Sequence, residues 1–165
     1  MSYDRGVSLD DWILALHVLS AFAFVAGVVL FWVLIFAVRR TDRPDDTVRM
    51  GPIVKVGNGA VGVGATGTIV LGIWLAISKE EYQVWDGWVI AAIVLWLLAA
   101  ETGRRTGAEY TKGISAAEEL QSSGQAGSSA ELLALNRTST GVLMHALTTI
   151  VVLLILADMI WKPGA

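Results

Sequence analysis

Two histidines, His17 and His145, and one carboxylate, Asp158, lie inside long apolar runs of the chain. Ionisable groups in such runs are expensive and normally face a partner, a bundle interior or a cavity. A neutral imidazole there can ligate a metal or haem iron, relay a proton, or hydrogen-bond a neighbouring helix. Around His145, residues Thr138, Gly141, Thr148 and Thr149 stand seven and four positions before it and three and four after it. Those offsets share one helical face, so Thr138, Gly141, His145 and Thr149 form a polar stripe. Such a stripe can bond an imidazole, close a helix interface or line a cavity. One His, one Asp and the nearby Met159 make too thin a donor set for a dedicated metal site.

Four apolar runs must position these groups: 12–38, 53–77, 85–100 and 132–161. Each is near or above the about 20 residues that a bilayer crossing needs. Hydrophobic residues make up 55% of the chain and charged residues 16%, so four spans and their connections account for all 165 residues as one membrane domain, 1–165. The chain has no Cys, which excludes disulfides, thiolate metal sites and thiol catalysis. The apolar run that begins at Trp12 is longer than the 7 to 15 residues of a signal-peptide core, so it reads as a retained span.

The distribution of cations orients the spans. Of the twelve Lys and Arg, Arg39, Arg40, Arg43, Arg49 and Lys55 follow the first span, while Arg104, Arg105, Lys112 and Arg137 lie between the third and fourth. Only Arg5, Lys79 and Lys162 lie on the other side. The positive-inside rule then places both termini outside and both basic connections in the cytoplasm of a bacterial cell. Trp12, Trp74, Trp85, Trp88, Trp161 and Tyr82 form an outer aromatic belt, with Trp32 and Trp96 toward the inner half. The fold class is therefore all-α, a four-helix transmembrane bundle with up-down topology, N-out and C-out.

Depth follows from the helical rise. His17 lies about five residues below Trp12, or roughly 8 Å, and His145 about sixteen below Trp161, or roughly 24 Å. An offset of about 16 Å disfavours one upright haem shared by both. Asp158 comes within roughly 3 Å of the depth of His17, so in an up-down bundle with the first and fourth spans adjacent the two can pair.

The connections are less regular. Pro44 and Pro52 make the first one a loop with at most a short surface helix. Lys79, Glu80 and Glu81 form a short acidic turn. The third, about 101–131, reads as a cytoplasmic helical connection that ends in the flexible 122–127 turn. Ser128 with Glu131 resembles a capping box, which starts an unbroken fourth helix running to Trp161. Lys55 and Asn136, near span ends, read as residues at headgroup level. The second span is rich in small residues. Ala60, Gly64, Thr68 and Gly72 make a small-residue stripe at spacing four, and Asn58, Gly62 and Thr66 a second on another face; such stripes serve helix packing within the chain, or one of the two makes space for a planar cofactor or a second subunit.

The stretch from Trp12 through His17 to Phe22, with Gly27 and the Arg39–Arg40 pair, resembles the first helix of small four-span bacterial proteins classed as predicted integral membrane proteins of unknown function. The run Gly72-Ile73-Trp74-Leu75 and the entry from Trp85 to Ile90 resemble that family too. A looser resemblance of the Leu16-His17-Val18-Leu19 segment is to copper-resistance membrane domains and to the small haem-binding oxidase of protoporphyrinogen. That likeness implies a haem- or metal-binding role for His17. The expectation is an accessory or scaffold membrane subunit in the bacterial cytoplasmic membrane, partnered by the lipid bilayer and by a second copy or a larger complex, with no nucleic acid. The alternatives are a haem b protein for electron transfer or porphyrin oxidation, with His17 and His145 as cofactor ligands, and a small proton-coupled transporter built on His145. No catalytic motif assigns an enzyme activity.

Overall fold

The computed structural model describes residues 7–78 and 83–163; Arg5, Tyr82 and the acidic turn of Lys79, Glu80 and Glu81 lie outside the described residues. The described chain is all-α: α1 Leu9–Val38, α2 Pro44–Arg49, α3 Gly51–Ser78, α4 Gly87–Ser122, α5 Ala130–Asn136 and α6 Ser139–Trp161. Four helical stretches are long and apolar enough to cross a membrane, given by α1, α2 with α3, α4, and α5 with α6. Their outward faces carry the large apolar side chains that lipid would cover, among them Leu19, Phe22, Val63, Leu97 and Ile150.

Local sequence sets the ends. Ser8 and Asp11 form a reciprocal capping box that satisfies the first free N–H groups of α1. Pro44 at the first turn of α2 suits its fixed φ and missing N–H. The helical connection after the third span is not a separate element: α4 runs without interruption to Ser122, carrying the span straight into its charged extension.

Two expectations about the fourth span need correction. Its N-cap is Ser129, not Ser128, because the Ser129 side chain accepts from the Leu132 N–H while its own N–H donates 2.8 Å to the Asp42 carbonyl. That tether to the first connection delays the helix start by one residue. Nor is the helix unbroken. It stops at Asn136 and restarts at Ser139, with Thr138 capping the new segment through the Gly141 N–H at 3.3 Å.

The spans associate as two antiparallel hairpins, α1 on α3 and α4 on α6, with much thinner contact between hairpins. Glycine explains the tightness of the first pair. A Cβ built on Gly64 would overlap the backbone of Phe24, coming 2.7 Å from its Cα, and one on Gly27 would lie 3.0 Å from the Val61 nitrogen. Gly64 and Gly27 thus let two backbones approach at interlocking points, the small-residue mode of packing in bilayers. Thr68 donates 2.7 Å to the Gly64 carbonyl and is buried against the same seam. Gly72 leaves room for the His17 ring, whose Cε1 would be 3.0 Å from an added Cβ, and Ala60 is half-buried at the inner end of the stripe.

The hairpins meet through a core of Phe24, Val28, Ala99, Val151, Val152 and Ile155. Gly64→Leu should destabilise the protein by about 1–3 kcal/mol, because added volume meets backbone that cannot swing aside. A thermal melt in detergent checks this, and an unchanged profile would place Gly64 away from α1.

Candidate functional site

His145 is 3% exposed and its Nε2 lies 3.1 Å from the Val28 carbonyl oxygen of α1. A carbonyl only accepts, so the Nε2 of a neutral ring must carry the proton and donate. The polar stripe of α6 continues this link. Thr149 donates 2.9 Å to the His145 carbonyl and accepts 2.9 Å from the Trp32 indole N–H. Val28 and Trp32 are one turn apart on α1, as His145 and Thr149 are on α6, so four residues close a square of bonds across the helices. The Trp32 and His145 rings pack edge to face, with centroids 4.8 Å apart at 66°.

The other half of the stripe turns toward α4. Thr148 donates 2.8 Å to Thr102, whose hydroxyl bonds back to the Leu98 carbonyl at 2.8 Å. Gly141 is buried where a Cβ would come 2.8 Å from the Tyr110 ring, and Thr138 reaches Glu109 at 3.4 Å. Gly141 and Thr148 face α4 while His145 and Thr149 face α1, so the stripe joins the two hairpins, and His145 and Thr148 also border a cavity. Trp96 adds a further link, donating 3.0 Å to the Ala65 carbonyl of α3.

At the basic end, Asn136 is enclosed within the bundle. It is 1% exposed and its amide nitrogen lies 3.2 Å from the Thr41 carbonyl, 3.2 Å from the Thr41 hydroxyl and 3.1 Å from the Thr47 hydroxyl. Gly113 of α4 makes room, since its Cβ would come 2.5 Å from Asn136 Oδ1. The break between α5 and α6 frees carbonyls that need donors, and Arg39 supplies them: its Nη1 reaches the Arg137 oxygen at 2.9 Å and the Thr138 oxygen at 3.0 Å. Arg137 answers with its Nε 3.3 Å from the Arg39 carbonyl. Lys55 is exposed.

His17 and Asp158 are not joined. Among the described residues neither forms an ion pair within 4.0 Å, and each keeps a buried polar atom, His17 Nδ1 and Asp158 Oδ2, without a hydrogen-bond partner there. Equal depth is not adjacency, because α1 packs mainly on α3 and α6 mainly on α4. The His17 ring rests against Gly72 and the Thr68 backbone. It also borders a cavity of about 530 Å³, walled by all four spans and shared with Trp88, Ile155 and Met159. A second cavity of about 310 Å³ lies nearer the basic end, bordered by His145, Thr148, Asn58 and Arg104. The two share one wall residue, Trp96.

These contacts fit haem poorly. The Nε2 of His145 is committed to Val28, and His17 Nδ1 is buried against α3. Val28, the partner of His145, lies eleven residues beyond His17 on α1, which is about 16 Å along the helix. One ring cannot take both as axial ligands. Among the described residues, no three His, Asp or Glu side chains gather to hold a metal ion. Comparison with family models, curated proteins and solved structures gave no match.

The Trp32 and Thr149 bond should act as a measurable fastener. In a double-mutant cycle of Trp32→Phe and Thr149→Val, the coupling should be about 0.6 kcal/mol, the average for hydrogen bonds between membrane helices, and no more than about 1.7 kcal/mol. Coupling of zero in detergent unfolding would remove this bond from the helix interface.

Proposed function

We propose that the protein is an accessory or scaffold subunit of the bacterial cytoplasmic membrane, with both termini outside, which docks through α3 onto a second copy or onto a span of a larger complex. One observation carries this reading. Only 11% of the most apolar stretch of the helix containing α3 is buried inside the chain, against 28–33% in the other three spans. Its bare face has a regular pattern: Val56, Gly59, Val63, Thr66 and Val70 alternate by three and four residues and are all exposed. Small and β-branched residues at that spacing make a smooth seam for another helix. Nothing lies within 4 Å of a Cβ on Gly59, so a partner backbone has room there.

The polar groups inside the spans support the same reading. His145, Trp32, Thr149, Thr148 and Trp96 fasten this chain's own helices, which is the work of a structural bundle. A carrier using His145 for proton exchange would have to break the bond to Val28 in each cycle. The orientation rests on the cations. Arg40, Arg43, Arg49, Lys55, Arg104, Arg105, Lys112 and Arg137 are exposed at one end of the bundle, the end that the positive-inside rule assigns to the cytoplasm.

The absence of native cysteine makes the docking face directly testable. Val63→Cys, labelled with a short reagent that is thiol-reactive at one end and photoreactive at the other and then irradiated in native membranes, should yield an adduct of higher mass. Ile150→Cys, on an exposed face of α6, serves as the reference. A doubled mass identifies a second copy, and any other mass a different subunit. If Val63→Cys gives no more adduct than Ile150→Cys, α3 faces lipid and the scaffold reading fails.

The orientation is tested separately by reporter fusions at the two termini and within the 122–127 turn. External termini with a cytoplasmic turn are expected. The reverse pattern would overturn the assignment.

A further inference from the structure

The smaller cavity is a slot between the inner halves of α3 and α4. Its banks are low because they are made of glycine. Gly62, Gly103 and Gly107 line it, and a Cβ added to any of them would meet nothing within 4 Å. Its floor is apolar, formed by Phe24, Val28 and Trp96. Its rim lies at the end of the bundle where the cations are concentrated. On the α4 side Glu101 holds Arg104 at 2.9 Å and Arg105 at 2.7 Å, so one carboxylate is shared by two guanidinium groups and the cluster keeps a net positive charge. Both guanidinium side chains are about two-thirds exposed, at 68% and 62%. On the α3 side Lys55 is exposed and shares a helical face with Asn58 and Gly62, which line the slot.

Size and charge decide what fits. A helix about 10 Å across with a rise of 1.5 Å takes up roughly 120 Å³ per residue, so the slot would hold fewer than about three residues of one. Water has few polar partners on the floor. An alkyl chain needs an apolar slot open to lipid, and a cationic rim matches an anionic head. We propose that this slot seats one acyl chain of an anionic phospholipid from the leaflet at the basic end, with its phosphate between Arg104 and Lys55. The slot adjoins the α3 seam along the Gly62 and Thr66 stripe, but none of Val56, Gly59, Val63, Thr66 and Val70 lines it, so a lipid can occupy it whether or not α3 docks.

Trp96 on the floor provides the readout. The protein is placed in phosphatidylcholine vesicles containing a minor fraction of either dibrominated phosphatidylglycerol or dibrominated phosphatidylcholine, and tryptophan quenching is compared. Trp96→Phe supplies the background from the other six tryptophans. The Trp96 signal should be quenched at least twofold more by the brominated anionic lipid. Arg104→Gln combined with Lys55→Gln should abolish that preference. Gly103→Leu fills the slot from a position with open space, so the helix tolerates it, and it should reduce Trp96 quenching to the Trp96→Phe background. Equal quenching by both lipids in the unmodified protein overturns the anionic assignment. Quenching that survives Gly103→Leu overturns the slot itself.

Discussion

Inside lipid a polar atom has no water to fall back on, and this constraint organises the structure. Each backbone group must bond within a helix, and each polar side chain needs a partner on its own helix or the next. His145 donates to Val28, Trp32 to Thr149, Thr148 to Thr102 and Trp96 to Ala65. Three of these four bonds link spans from different hairpins, where apolar contact is thinnest. Lipid tails are as apolar as leucine, so burying leucine against leucine gives little drive to associate. Directed hydrogen bonds therefore carry much of the specificity between the two halves.

Within the first hairpin a different solution applies. Gly64 and Gly27 let α1 and α3 approach closely enough for continuous van der Waals contact, without any side-chain hydrogen bond between them being needed. The consequence is uneven packing. A helix drawn so tightly onto one neighbour leaves space elsewhere, and both cavities open where α3 faces α4. The bareness of the outer face of α3 has the same origin: its glycines serve α1 on one side and offer little bulk on the others.

Composition and period alone made part of this legible. Runs of apolar residues located the spans because length and hydropathy are properties of the segment itself. The spacing of Gly64 and Thr68 likewise identified a face. What the sequence could not supply was which helix each face meets. His17 and Asp158 share a depth yet stay apart because depth is a coordinate along one axis and pairing needs the other two. Trp32 was read as an aromatic near the inner half, although its spacing of four from Val28 mirrors that of His145 and Thr149. The mirror becomes visible only when α1 and α6 are side by side. Asn136 shows the same limit: its place near a span end gave no sign that Thr41, Thr47 and Gly113 would surround it.

The break at Arg137 and Thr138 shows how the membrane surface and the fold are connected. The interruption turns α5 so that Asn136 reaches Thr41 and Thr47, and it exposes two carbonyls that Arg39 then caps. Arg39 therefore has two roles that counting charges cannot separate. Its charge belongs to the basic side of the membrane, while its guanidinium donors close the end of α1 onto the start of α6. Both bonds leave the same nitrogen, Nη1, so one amino group of the guanidinium serves the two adjacent carbonyls. Arg39, Arg137 and Asn136 thus fasten the basic end with hydrogen bonds, while among the described residues the other end gathers Ala76, Trp88 and Val89 in an apolar cluster beside the larger cavity.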